Sequence, residues 1–224
     1  MTAEELEAEG YRFARPCVFL RDKGPKDHLA AAWGGPGIVP PPKKQPMDRH
    51  WLSIDCAAFK EFLHKNKYKV GPTEGVLSVY TDDEGGGVAV LDKKAKLTID
   101  KKATALYAHP GRSLPPLDAV FQLGSPAVQK WLKDNKWKPD VPFNNNFKDK
   151  APAQAYEKRY ADLCPLYGKI EAYAVLGGWH FPWPDGDWTE LRDRALLAWT
   201  FEESEPWIEV WADGKGFEVK ERIT

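Results

Sequence analysis

The sequence predicts an α+β fold: a C-terminal antiparallel β-meander packed against a few helices, with a long irregular N-terminal segment. Three observations carry this reading. Helical and strand-like stretches are segregated along the chain, whereas a parallel sheet would need them to alternate as βαβ units. Four strand-length apolar runs crowd the last third, Ile170–Leu176, Ala195–Phe201, Trp207–Trp211 and Phe217–Ile223, and Asp213-Gly-Lys-Gly216 joins the last two as a tight turn. The first 48 residues, by contrast, hold several glycine and proline breakers and little periodicity.

Taken in order, residues 2–9 are expected as a short acidic helix. Beyond it Gly24-Pro25, Gly34-Gly35-Pro36-Gly37 and Pro40-Pro41-Pro42 leave extended chain and turns that wrap a core built elsewhere. Trp51-Leu-Ser-Ile-Asp-Cys56 is strand-like, and from Ala57 to His64 the spacing of Phe59, Phe62 and Leu63 makes one helical face. Val76–Tyr80 and Val88–Leu91 flank a polar, glycine-rich loop and form a hairpin. Short strands are expected at Leu97–Ile99 and Thr104–Tyr107. A helix over 126–136 starts from Ser125 as N-cap with Pro126 at its first position, and it turns Val128, Trp131 and Leu132 inward. A further helix over 151–164 repeats Ala155, Tyr156, Tyr160 and Leu163 before Pro165 stops it. Pro139, Pro142 and Asn144-Asn145-Asn146 make the loop between these two helices.

The 224 residues, 42% hydrophobic and 29% charged, suit a single domain: 1–48 as an irregular wrapping segment, 49–168 as mixed strands and helices, 169–224 as antiparallel sheet. With 32 Lys and Arg against 33 Asp and Glu, bulk charge selects neither nucleic acid nor membrane as a partner. No run approaches the ~20 apolar residues that span a bilayer. Four glutamates precede the first basic residue, Arg12, the reverse of a signal peptide, so a cytoplasmic chain is expected. Cys17, Cys56 and Cys164 have none of the close spacing of metal or redox sites and read as reduced thiols. P-loop, zinc-helix and nucleophile-elbow motifs are lacking, and Pro40 stands where a dinucleotide fingerprint after Gly35-Pro36-Gly37 needs glycine, so no cofactor and no metal is expected.

Ten tryptophans are present, and six of them lie from Trp179 onward. Along Trp207–Trp211, Ile208 and Val210 face one way and Trp207, Glu209 and Trp211 the other, so both faces of that strand need cover. The most unusual segment is Gly177-Gly-Trp-His-Phe-Pro-Trp-Pro-Asp-Gly-Asp-Trp188. Its Trp179, His180, Trp183, Asp185, Asp187 and Trp188 form a stiff aromatic and acidic loop, the candidate binding site. The lysine-rich stretch 93–150 carries twelve basic residues against five acidic, while 185–224 carries eleven acidic against five basic. Trp131, Trp137, Phe143 and Phe147 within the basic stretch give only a superficial likeness to a single-strand-binding groove, because Asp134 and Asp140 interrupt it.

The leading expectation is therefore a non-enzymatic cytoplasmic protein-binding domain, antidote-like or adaptor-like, that uses an aromatic and acidic surface against a partner protein with a basic surface. Two alternatives stand beside it. One is a hydrolase using His180 with Asp185 or Asp187, and with His109 drawn in through space. The other is a small-ligand or carbohydrate binder using tryptophans as stacking platforms.

Overall fold

The computed structural model describes residues 1–44, 47–83, 86–136, 148–163, 171–179, 195–200, 207–212 and 216–222. They belong to two compact units: the described parts of Met1–Arg15, Ser113–Ile170 and Trp179–Asp193 in one, and those of Pro16–Arg112, Glu171–Gly178 and Arg194–Thr224 in the other.

The first unit is helical. Helix α1, Ala3–Arg12, begins with a reciprocal cap: Thr2 Oγ1 accepts the Glu5 N–H at 3.2 Å and Glu5 Oε2 accepts the Thr2 N–H at 2.7 Å. Helix α2, Leu117–Leu123, follows Pro115-Pro116 and buries Leu117, Val120 and Phe121; no helix is expected there from the residue pattern. Helix α3, Pro126–Asp134, turns Val128, Trp131 and Leu132 inward as their spacing requires, with Trp131 edge-on to Phe121 at 6.0 Å. Ser125 holds the N-cap position, but its side chain makes no cap; its backbone N–H instead donates to Glu9 Oε1 at 2.7 Å. Helix α4, Ala151–Leu163, buries Pro152, Ala153, Tyr156 and Tyr160, so the expected inward position at Ala155 is corrected to Pro152 and Ala153. The Tyr156 hydroxyl donates to Pro115 O at 2.7 Å, and its ring lies where a Cβ on Gly10 would stand.

The second unit is a ten-stranded curled sheet. Its strands are β1 (Arg15–Arg21), β2 (Leu29–Trp33), β3 (Arg49–Asp55), β4 (Val76–Thr81), β5 (Gly87–Asp92), β6 (Thr104–Ser113), β7 (Ala174–Gly177), β8 (Ala195–Thr200), β9 (Trp207–Ala212) and β10 (Phe217–Arg222). The order is β10-β9-β8-β7-β1-β6-β2-β3-β4-β5, and the two end strands, β5 and β10, pack alongside each other. The four C-terminal strands are antiparallel neighbours, as expected, with Val175 opposite Trp199 and Val219 opposite Val210. The β4–β5 hairpin also stands, with Tyr80 opposite Val88.

Two expectations are corrected. The segment 1–48 is not an irregular wrapping: β1 and β2 lie within it and occupy central places in the sheet. The reason is burial on both faces. Cys17-Val-Phe-Leu20 and Ala30-Ala-Ala32 are continuous apolar runs, the pattern of a fully covered strand, and they lack the alternation that marks a half-exposed one. Leu97–Ile99 is not a strand, and Ile99 is exposed, whereas Thr104–Tyr107 is the start of the much longer β6.

The core of this unit alternates along the strands: Leu52 and Ile54 on β3, Leu77 and Val79 on β4, Ile208 and Val210 on β9. A π-helical turn, Phe59–Leu63, adds Phe59 and Leu63 to the same core. Gly177, at φ 67°, lets β7 turn close beneath Tyr68 and Leu63, where a Cβ would stand about 3 Å from both. On β9 the opposite face is covered too, since Glu209 and Trp211 are buried and the Trp211 Nε1–H donates to Glu209 Oε2 at 3.1 Å. No helix among the described residues is long and apolar enough to cross a membrane.

Candidate functional site

Of the six residues proposed for the aromatic loop, only Trp179 lies within the described residues; His180, Trp183, Asp185, Asp187 and Trp188 lie outside them. Trp179 is 4% exposed. Its indole N–H donates to Phe13 O at 2.7 Å, its backbone N–H donates to Ser113 Oγ at 3.0 Å, and the Arg15 guanidinium stacks 3.8 Å from the ring centroid. Ala119 packs against the ring. Trp179 is thus held by Phe13 and Arg15 of one segment of the first unit and by Ser113 and Ala119 of another.

The described histidines all bind backbone. His28 Nδ1 lies 3.2 Å from Ala108 O, His64 Nε2 2.8 Å from Val70 O, and His109 Nε2 2.6 Å from Lys23 O. Carbonyls only accept, so each ring nitrogen there carries a proton and pins a loop. His50 does the same toward Gly34 O and Gly35 O, both at 3.1 Å. Cys17 and Cys56 are buried thiols outside any disulfide, and Cys164 lies outside the described residues. Desolvation, helped by the charge of Asp55, pushes the Cys56 thiol up to about 12, so it is no nucleophile at neutral pH. Asp82 closes its own turn by accepting the Gly86 N–H at 2.7 Å. Among the described residues no three His, Cys, Asp or Glu side chains are grouped to hold a metal ion.

Trp33 and Trp51 of the second unit face each other. Trp33 meets Trp51 edge-on at 5.6 Å and Tyr173 at 5.7 Å, while the Arg49 guanidinium covers the Trp51 ring at 3.6 Å. A β-bulge at Trp51 turns it inward, and its N–H donates to Thr81 Oγ1 at 2.9 Å.

An open cleft of about 480 Å³ lies elsewhere in the second unit, where β2 begins and β3 ends. Its residues come from two local devices. At the end of β3, Asp55 Oδ1 accepts the Ala57 N–H at 2.9 Å and starts the helical turn that presents Lys60, Glu61 and Phe62. Ahead of β2, a single 3₁₀ turn, Lys26–His28, sets the His28 ring edge-on to Phe62 at 5.3 Å and leaves Asp27 beside it. Leu29, exposed, continues the apolar part of the wall. The cleft thus holds three carboxylates, Asp27, Asp55 and Glu61, against Lys60, with Lys65 paired to Glu61 from one turn on. Sequence reasoning did not see this grouping, because Asp27 and Asp55 come to one cleft only through sheet pairing.

No protein-family model, no curated protein and no solved structure matches this chain.

Proposed function

We propose that the chain is a non-enzymatic protein-binding domain, antidote-like or adaptor-like, whose acidic and aromatic surface takes a basic segment of a partner protein. The supporting observation is the cleft of Asp27, His28, Asp55, Glu61 and Phe62. It combines surplus negative charge with an apolar wall, the complement of a lysine or arginine side chain that carries both a cationic head and an aliphatic stem. A cation drawn there meets Phe62 at the wall and carboxylates at the rim, so orientation and on-rate both come from the same few residues.

The experiment is fluorescence anisotropy of a labelled arginine- and lysine-rich peptide against wild type and the triple variant Asp27→Asn, Asp55→Asn, Glu61→Gln. Asparagine at 55 still caps the helical turn, so folding is retained. Neutralising these three charges should weaken binding by about tenfold or more and flatten its salt dependence. Equal affinity of wild type and variant, or equal binding of an acidic peptide, would refute the assignment.

A further inference from the structure

The glycine-rich segment 34–39 lies over the face of β3 and β4 that carries Ser53 and Ser78, which stand directly opposite each other in the ladder and are both fully buried. One continuous hydrogen-bond chain holds it. His50 Nδ1 lies 3.1 Å from Gly34 O and from Gly35 O, so the ring hydrogen sits on Nδ1. Nε2 of the neutral ring can then only accept, and Ser53 Oγ, 2.9 Å away, donates to it. Ser53 Oγ in turn accepts from Ser78 Oγ at 2.7 Å and from the Ile38 N–H at 3.3 Å. Ser78 Oγ accepts the Val39 N–H at 3.1 Å, and the Tyr80 hydroxyl donates to Val39 O at 2.6 Å. The contact is close enough that a Cβ on Gly37 would stand on the Tyr80 hydroxyl.

The direction of this chain depends on a bare Nε2. A proton there points N–H at Ser53 Oγ, so the Ser53 and Ser78 hydroxyls must both reverse for the segment to stay bonded. The groups facing His50 offer no compensating charge. From β4 they are Ser78 and Tyr80, whose ring lies 5.1 Å away and whose burial raises its ionisation above the ordinary tyrosine range. From the strap they are backbone groups. On β3, Ser53 is neutral and Arg49 stacks on Trp51; Asp48, just before the strand, accepts the Asp83 N–H.

We infer that residues 34–39 form a pH-sensitive latch, closed over Ser53 and Ser78 while His50 is neutral and released when its ring takes a second proton. The sign follows from desolvation, the largest influence on this ring, which lowers its proton affinity in the folded chain despite the carbonyls of Gly34 and Gly35. A folded value below the ordinary 6.5 means that the closed state is fully favoured above about pH 6.5 and loses stability as pH falls below it.

Hydrogen–deuterium exchange of the full chain tests this at pH 7.5 and 5.0, with labelling times scaled to equal intrinsic exchange. Amides of 34–39 should lose protection at the lower pH, by up to about tenfold per unit between about pH 6.5 and the ring's lowered value and no further below it, while β6 amides stay protected. His50→Gln should make the protection of 34–39 the same at both values. Ser53→Ala, which removes the donor to Nε2 and so brings the folded ring nearer its ordinary value, should shrink the loss and move its midpoint to higher pH. Unchanged protection in wild type at pH 5.0, loss together with β6, or an equal pH response in His50→Gln would each overturn the latch; should His50→Gln fail to fold, an unmoved midpoint in Ser53→Ala does the same.

Discussion

Trp179 offers the sharpest test of packing in the first unit, because two substitutions separate its contributions. In Trp179→Ala the ring leaves a site that is 4% exposed, where large-to-small aromatic changes cost ~3–5 kcal/mol. Within that figure fall the stacked Arg15 guanidinium, a contact of ~0.5–2 kcal/mol, and the indole bond to Phe13 O. Trp179→Phe keeps an aromatic face for Arg15 but removes the donor, so its loss should be about 1–2 kcal/mol, the range for a buried acceptor left without its partner. At about 2–4 °C per kcal/mol for a chain of this length, alanine should lower Tm by roughly 6–20 °C and phenylalanine by roughly 2–8 °C. Differential scanning calorimetry gives both values, and anisotropy with the basic peptide shows whether the folded fraction still binds. A fall of less than about 2 °C for Trp179→Ala would refute the reasoning. Equal falls for the two variants would show that the indole donor, and not ring burial, carries the effect.

Two further outcomes are expected. Cys56, fully buried and with its thiol held near 12, should resist iodoacetamide at pH 8 in the native protein and label fully once unfolded, as peptide mass mapping would show; native labelling at the rate of a free thiol contradicts the burial argument. Gly37→Ala should destabilise by ~1–3 kcal/mol in chemical denaturation because its Cβ meets the Tyr80 hydroxyl, whereas Gly216→Ala, with no atom of the described residues beyond its chain neighbours within 4 Å of the added carbon, should change stability by less than about 0.5 kcal/mol.

The parts of this fold that could be read from sequence are those where burial is one-sided. Val128, Trp131 and Leu132 repeat at helical spacing because the other face of α3 is wet, and the runs at Val76 and Ala195 stand between polar stretches of sequence. Strands β1 and β2 escaped because covered strands have no alternation to show, and β2 is built from three alanines with weak strand character of their own. Helix α2 escaped for a different reason: seven residues complete barely two turns, too few to display a period. In β6 the pair Pro110-Gly111 reads as a strand breaker, yet the glycine is where the Phe19 ring approaches the backbone, at a place where a Cβ would not fit. The abundance of tryptophan was equally plain, but not its use, since Trp179 is held by Phe13, Arg15 and Ser113, none of which is near it in sequence.

The acidic cleft was hidden by the same arithmetic that made the chain look neutral. Asp27, Asp55 and Glu61 are spread over 35 residues that also contain Lys43, Lys44, Arg49 and Lys60, so no window of sequence is strongly acidic there. Antiparallel pairing of Ala31 with Ile54 brings the start of β2 beside the end of β3, and that register alone sets His28 against Phe62 and Asp27 near Asp55. The bulge at Ala30, where β2 shifts against β6, supports this by letting Leu29 leave the core pattern while Ala31 and Leu106 keep it. A slip of one residue would move His28 by ~3.3 Å along the strand and turn Ala31 out of the core. The charge pattern of the cleft is therefore a property of the register, and the buried alanines of β2 determine it as much as the carboxylates do.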